Sequence, residues 1–237
     1  MAPQPSSAPS GSPRALVTGG NGNLGHAVSS LLLEAGIETH ITVLDEQTRA
    51  SYAYGLMQEG LVLHVGDLSK GEDVARVFTE IGSPLGTLVA TVGGFHGGPL
   101  AEIDEATVDF QYRLNLKSTI LTLRYAYPAL AANPGGASVV LIANRGALGA
   151  APGTAASSAM TAAVVSLVKS LAEDWKAAGI RVNAVAPSIM DTAENRRAMP
   201  DADFTTWPTT RQVAELIGFL VSDPIVSGAI VPAFGRA

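Results

Sequence analysis

A single α/β domain with a doubly wound, seven-stranded parallel sheet and helices on both faces is predicted by three features of the sequence. Short apolar runs alternate along the whole chain with segments whose apolar residues recur at helical spacing, as parallel βαβ units require. The first run, Ala15-Leu16-Val17, feeds a turn of small residues, Thr18 to Gly25, that opens an amphipathic segment. The second run closes on an acid, Asp45, twenty residues beyond Gly25. A chain of 237 residues buries one such core, and no composition break asks for a second.

Taken in order, Met1 to Pro13 is rich in Pro, Ser and Ala without an apolar core, and reads as a disordered tail ahead of a domain spanning 14–237. Leu24, Ala27, Val28, Leu31, Leu32 and Ala35 mark the first helix, which Gly36 ends. Glu38 to Leu44 is the second strand and Leu61 to Val65 the third, followed by a helix carrying Val74, Val77, Phe78 and Ile81. Leu88 to Val92 is the fourth strand, ending in the loop Gly93-Gly94-Phe95-His96-Gly97-Gly98. Asp104 caps a long helix that passes Asn115 and reaches towards Pro128. Ser138 to Ala143 is the fifth strand, and a helix from about Ser157 to Ala178, terminated by Gly179, begins with small residues only. Arg181 to Ala186 is the sixth strand, Thr209 with Gln212 forms a capping box, and Ala229 to Val231 is the seventh strand.

Composition excludes several classes. The net charge is -6 and the basic residues are scattered, which argues against nucleic acid or an anionic membrane as partner and favours a small molecule. Cysteine is absent and the four histidines lack ligand spacing, so no disulfide, thiolate nucleophile or metal site is expected. No run approaches the ~20 consecutive apolar residues of a membrane span, and a cytoplasmic protein is expected.

Small residues at a strand-to-helix corner let phosphates approach the backbone, where the helix start offers free N–H groups. Gly19, Asn21, Gly22, Asn23, Leu24 and Gly25 therefore read as a dinucleotide cradle, with Asp45 where a ribose-binding carboxylate would stand. Gly66-Asp67-Leu68, Leu114-Asn115-Leu116, Arg181 to Pro187 and Val226-Ser227-Gly228-Ala229-Ile230 follow in order. Together these blocks resemble the short-chain dehydrogenase/reductase family, a Rossmann-type fold, over essentially all of 14–237. The segment from Asp191 to Phe204, with Trp207, resembles that family's dihydropteridine-reductase-like branch.

The resemblance implies that Asp67 recognises the adenine end, that Gly93 and Gly94 pass beside the cofactor, that Thr192 holds the carboxamide of the nicotinamide, and that Leu68 and Pro187 belong to the cofactor site. An acid at Asp45 would bind ribose hydroxyls and repel a 2′-phosphate, favouring NAD over NADP. Asn23 stands where many members have glycine.

The family's chemistry rests on a Ser, a Tyr and a Lys, the last two in Y-x-x-x-K, with a supporting Asn. The corresponding positions here are Asn144, thirteen residues before Ser157, then Thr161, with Asn115 retained. A phenol whose pKa is lowered by a neighbouring ammonium passes a proton near neutrality; Ser157 and Thr161 cannot reproduce that. Asn144 can still donate to a carbonyl or oxyanion. His96, in the loop after the fourth strand, is the candidate replacement acid or base, against the plainer reading of a solvated loop histidine. Asn115 reads as a buried amide bridging backbone groups rather than a proton relay.

Three functions remain open at this level: a dinucleotide-groove protein turned to non-redox chemistry (isomerisation, cyclisation or dehydration) or to ligand binding; an atypical NAD(P)-dependent oxidoreductase of a carbonyl, quinonoid or pteridine-like substrate; and a non-catalytic subunit of a hetero-oligomer. The helices within 105–130 and 157–178 are the expected homodimer or homotetramer surfaces.

Overall fold

Strand β1 (Arg14–Thr18) is apolar at consecutive positions because both of its faces are covered. In the computed structural model, which describes residues 14–56 and 58–236, Leu16 faces one helical layer, while Ala15 and Val17 face the other. The tail expected over residues 1–13 lies outside the described residues.

The chain continues through α1 (Asn23–Glu34), β2 (Glu38–Val43), α2 (Glu46–Leu56), β3 (Leu61–Val65), α3 (Gly71–Ile81) and β4 (Thr87–Ala90). It then forms α4 (Glu105–Gln111), a π-helical segment (Tyr112–Lys117), α5 (Ser118–Ala131), β5 (Ala137–Ile142), α6 (Ala155–Asp174) and β6 (Ile180–Pro187). A short α7 (Ala193–Ala198), α8 (Thr210–Ser222) and β7 (Ile230–Ala233) complete it. All seven strands are parallel, in the order β3-β2-β1-β4-β5-β6-β7. Val77, Leu123, Leu130, Val164 and Val168 cover one face of the sheet. Val28, Leu32, Val213, Ile217 and Leu220 cover the other. The strand order reverses between β1 and β4, the crevice where open α/β sheets hold ligands.

Several element boundaries depart from the sequence pattern. Helix α2 was not expected, because its polar residues carry almost no apolar periodicity. The long helix after Asp104 is three pieces, since the π turn admits an extra residue at Tyr112–Lys117. Pro128 lies inside α5 instead of ending it. The fourth strand stops at Ala90, because Thr91 turns its hydroxyl onto the Thr18 carbonyl at 2.6 Å. Helix α6 starts at Ala155 and gives way after Asp174 to a 3-10 turn that Gly179 closes at φ +70°. By length and composition alone α6 would cross a membrane, yet Val164 and Val168 sit in the core of this domain.

Candidate active site

The turn after β1 is fixed from both sides. Gly19 adopts φ +64° and donates its N–H to Thr42 Oγ1 at 3.0 Å, and Gly20 donates to the Thr42 carbonyl at 3.1 Å. A side chain at Gly25 would run into the Gly19–Gly20 backbone, with the Gly19 carbonyl carbon and Gly20 Cα 2.9 Å from its Cβ. Leu24 and Gly25 thus face inward and seat α1 against the turn. Gly22 caps α1 without a side-chain hydrogen bond, so the first turn keeps its N–H groups for an anion.

A cavity of about 470 Å³ opens here, lined on the predicted side by Gly19, Asn21, Gly22, Asp67, Leu68 and Gly93. Thr42, Leu44, Ser69, Phe110, Arg113 and Ser118 also line it, and sequence reasoning missed them. A larger cavity, about 630 Å³, lies among the starts of β5 and β6. That is the wrong end of a parallel sheet for a ligand held at strand C-termini.

Asp67 folds onto Ser69, accepting from its N–H at 3.0 Å and its hydroxyl at 2.7 Å. Burial works against the charged carboxyl, but these hydrogen bonds and the Lys70 charge prevail and hold it below the ordinary aspartate value. Asp67 does not cap α3, whose N-cap is Lys70. Asp45 accepts the Thr48 N–H at 2.7 Å at the start of α2, which keeps it ionised, while Leu44 forms the cavity rim beside it.

The Gly93-Gly94 loop is held by one side chain. Asn115 accepts the Gly94 N–H and donates to the Gly94 carbonyl, both at 2.9 Å, from within the π segment. The backbone-bridging reading of Asn115 is what its contacts describe.

Asn144, Ser157 and Thr161 converge although they come from the end of β5 and two turns of α6. Asn144 Oδ1 accepts from Thr161 Oγ1 and from the Ala147 N–H, both at 2.9 Å. Asn144 Nδ2 reaches Ser157 Oγ at 3.4 Å. Ser157 is 2% exposed and Thr161 7%, and none of the three lines the 470 Å³ cavity. His96 is exposed in its loop; its carbonyl accepts from Gln111 Nε2 at 3.0 Å and its ring stands near Asp104. Among the described residues no hydrogen bond joins His96 to Asn144, Ser157 or Thr161.

Pro187 ends β6 and is buried. Thr192 caps α7, accepting the Asn195 N–H at 3.2 Å. Arg196 pairs with both oxygens of Asp191, at 2.6 and 2.8 Å, and lies over the Phe204 ring, which packs on the buried Trp207. Across the cleft, Glu194 Oε2 accepts from Asn23 Nδ2 at 3.0 Å.

Residues 20–232 match a family described as enoyl-(acyl carrier protein) reductase. An uncharacterized oxidoreductase, YmfI, of Bacillus subtilis is 28% identical over 238 residues, covering 93% of this chain and 97% of that protein. A solved structure described as a short chain dehydrogenase/reductase family protein superposes with a TM-score of 0.86 at 26% identity, covering 94% of this chain and 96% of that one. The structure of ElxO with NADP bound has the same TM-score of 0.86 at 22% identity, over 94% of this chain and 98% of that one, and shows likeness of fold.

Proposed function

The chain belongs to the short-chain dehydrogenase/reductase family, and from that premise we propose that it holds a nicotinamide dinucleotide while lacking the phenol–ammonium pair through which such a site moves a proton. The residues present fit the dinucleotide. The corner at Gly19 to Gly25 has no room for a side chain at Gly25, and α1 opens with uncapped N–H groups. Asp67 and Leu68 would receive the adenine end and Gly93 would pass beside the cofactor. The ionised Asp45 beside Leu44 favours NAD over NADP. ElxO was solved with NADP, which supports a dinucleotide in this groove without deciding between the two.

When bound, the nicotinamide would supply or accept a hydride. The single observation that carries the reading is that Asn144, Ser157 and Thr161 spend their polar atoms on one another and on backbone, with Ser157 and Thr161 buried. Losing a general acid costs on the order of 10²–10⁴ in rate. The function is therefore ligand binding or non-redox chemistry, with the Asn144 amide engaged by Ser157, Thr161 and the Ala147 N–H. Calorimetry with NAD, NADH, NADP and NADPH tests the groove. Oxidation of NADH or NADPH by a carbonyl, quinonoid or pteridine substrate at an ordinary enzymatic rate overturns the non-redox assignment.

A second reading is favoured by the relative described as an oxidoreductase and by the dihydropteridine-reductase-like segment 191–207: hydride transfer to an acceptor already activated enough to need no protein acid. The same NADH assay decides between them. The exposed Val108, Phe110, Tyr112, Ile120 and Tyr127 of the 105–130 region support a homo-oligomer through that face and α6, which light scattering would test; an active homologue co-purifying with the chain would instead make it a non-catalytic subunit.

A further inference from the structure

We propose that the Asn23–Glu194 contact is a latch that keeps the nicotinamide half of the groove shut, so that a dinucleotide must break it to bind. The proposal rests on the dinucleotide reading above. Asn23 is the first residue of α1, next to the uncapped Gly22, where a glycine would leave the helix start bare. Its side chain instead crosses the cleft to Glu194 of α7, a partner 171 residues away in sequence, at 3.0 Å. Glu194 remains ionised: a hydrogen bond from its own backbone N–H, the Asn23 amide and the Arg197 charge all hold its carboxyl below the ordinary glutamate value. A carboxylate at the positive end of α1 competes with the diphosphate that this helix start suits.

The shape of the cavity agrees with a half-closed groove. Its lining includes Gly22, Asp67, Leu68 and Gly93, whereas Asn23 at the helix start and Pro187 and Thr192 beyond it do not line it. The lid that Glu194 anchors is braced as a unit, since Arg196 grips Asp191 with two hydrogen bonds and Asn195 Nδ2 donates to the Met190 carbonyl at 2.8 Å. Asp191 is tied to the body by donating its N–H to the Pro208 carbonyl at 2.9 Å, so releasing the Asn23 contact frees Glu194 and the start of α7 to turn from the α1 N-terminus while the base of the lid stays anchored. An adenine mononucleotide, confined to the open half, has no latch to break; a dinucleotide pays for opening through the fraction of protein in the open state.

The test is calorimetric titration of the full chain with AMP and with NADH, in wild type, Glu194→Gln and Asn23→Gly, alongside trypsin cleavage at Arg196 and Arg197. The expected result is NADH binding tightened roughly threefold to tenfold in both variants, AMP affinity unchanged in Glu194→Gln, and faster cleavage of both variants. Equal NADH affinity in all three proteins overturns the latch and leaves the dinucleotide reading standing. Weaker NADH binding in the variants also overturns it, because the contact would then clasp bound cofactor. Failure of every protein to bind either ligand overturns the dinucleotide reading and the latch with it.

Discussion

Replacing Asn115 with alanine separates a structural amide from a proton relay. The side chain makes two hydrogen bonds at 2.9 Å to one residue, Gly94, and is 7% exposed. Alanine removes both and leaves the half-buried Gly94 N–H and carbonyl without their side-chain partner. Each stranded group costs about 1–3 kcal/mol, so the pair comes to about 2–4 kcal/mol after partial relaxation of the loop. For a domain of this size each kcal/mol moves Tm by about 2–4 °C, which places the loss at about 5–15 °C. The loop would also leave the groove, since Gly93 lines the cavity and a Cβ there would stand 3.1 Å from Asn115 Oδ1. Thermal unfolding by circular dichroism and titration with NADH on the same sample read both effects. Asn115→Asp keeps the acceptor for Gly94 N–H but sets a carboxylate oxygen against the Gly94 carbonyl, and is expected to be destabilised as well. An Asn115→Ala protein with unchanged Tm and unchanged NADH affinity, defective only in turnover, would refute the structural account and restore the relay.

Other perturbations follow the same logic. Gly25→Ala places a Cβ against the Gly19–Gly20 backbone, where nothing flexible can yield; a loss of about 1–3 kcal/mol in urea unfolding and loss of NADH binding are expected, and a protein of normal stability and affinity would contradict the close packing of the turn. Thr161→Val removes the hydroxyl that Asn144 Oδ1 accepts at 2.9 Å and should cost about 1 kcal/mol, with Tm unmoved if the network does not hold the site. Acidification should destabilise the protein through the row Glu38–His40–His64–Glu80, whose two histidines are buried, joined at 2.9, 2.8 and 2.9 Å, which Arg14 of β1 and Arg76 of α3 flank. Burial lowers the His40 pKa and the His64 hydrogen bond lowers that of Glu80. The unfolded chain therefore takes up protons that the folded one resists, first as pH falls below about 6.5 for the histidine and again below about 4.3 for the glutamate. Urea midpoints measured at pH 7.5 and 5.0 should differ, and His40→Asn should narrow the difference; equal midpoints in the native protein would sink the assignment.

The fold was legible because its strands are buried on both faces, which leaves runs such as Val139-Val140-Leu141 with one interpretation. Local devices were legible for a similar reason. The Thr209/Gln212 capping box and the Asp104 cap on Thr107 need only residue types at fixed offsets, and both formed. Helix α2 escaped because its sequence shows no apolar stripe. The π turn escaped because one extra residue per turn leaves i+3 and i+4 spacing looking helical. Asn115 reaches Gly94 from that turn, so the feature that places the side chain was the one hidden from periodicity.

At the site, motif spacing brought Asn144, Ser157 and Thr161 to one point, because positions thirteen and four residues apart bridge a strand end and one helix face. Spacing could not say that these groups would satisfy each other away from the groove. Nor could it place Leu44 at the rim while giving Asp45 to the start of α2, since both choices leave the strand pattern unchanged. Asn23 is the plainest case. In sequence it is a missing glycine, a small loss of freedom in a phosphate turn; in space its amide meets Glu194 from the other end of the chain. A residue that reads as a defect in one motif becomes a contact between two. Polar groups are turned onto the protein in both places: Ser157 and Thr161, buried, onto the half-buried Asn144, and Asn23 onto the exposed Glu194.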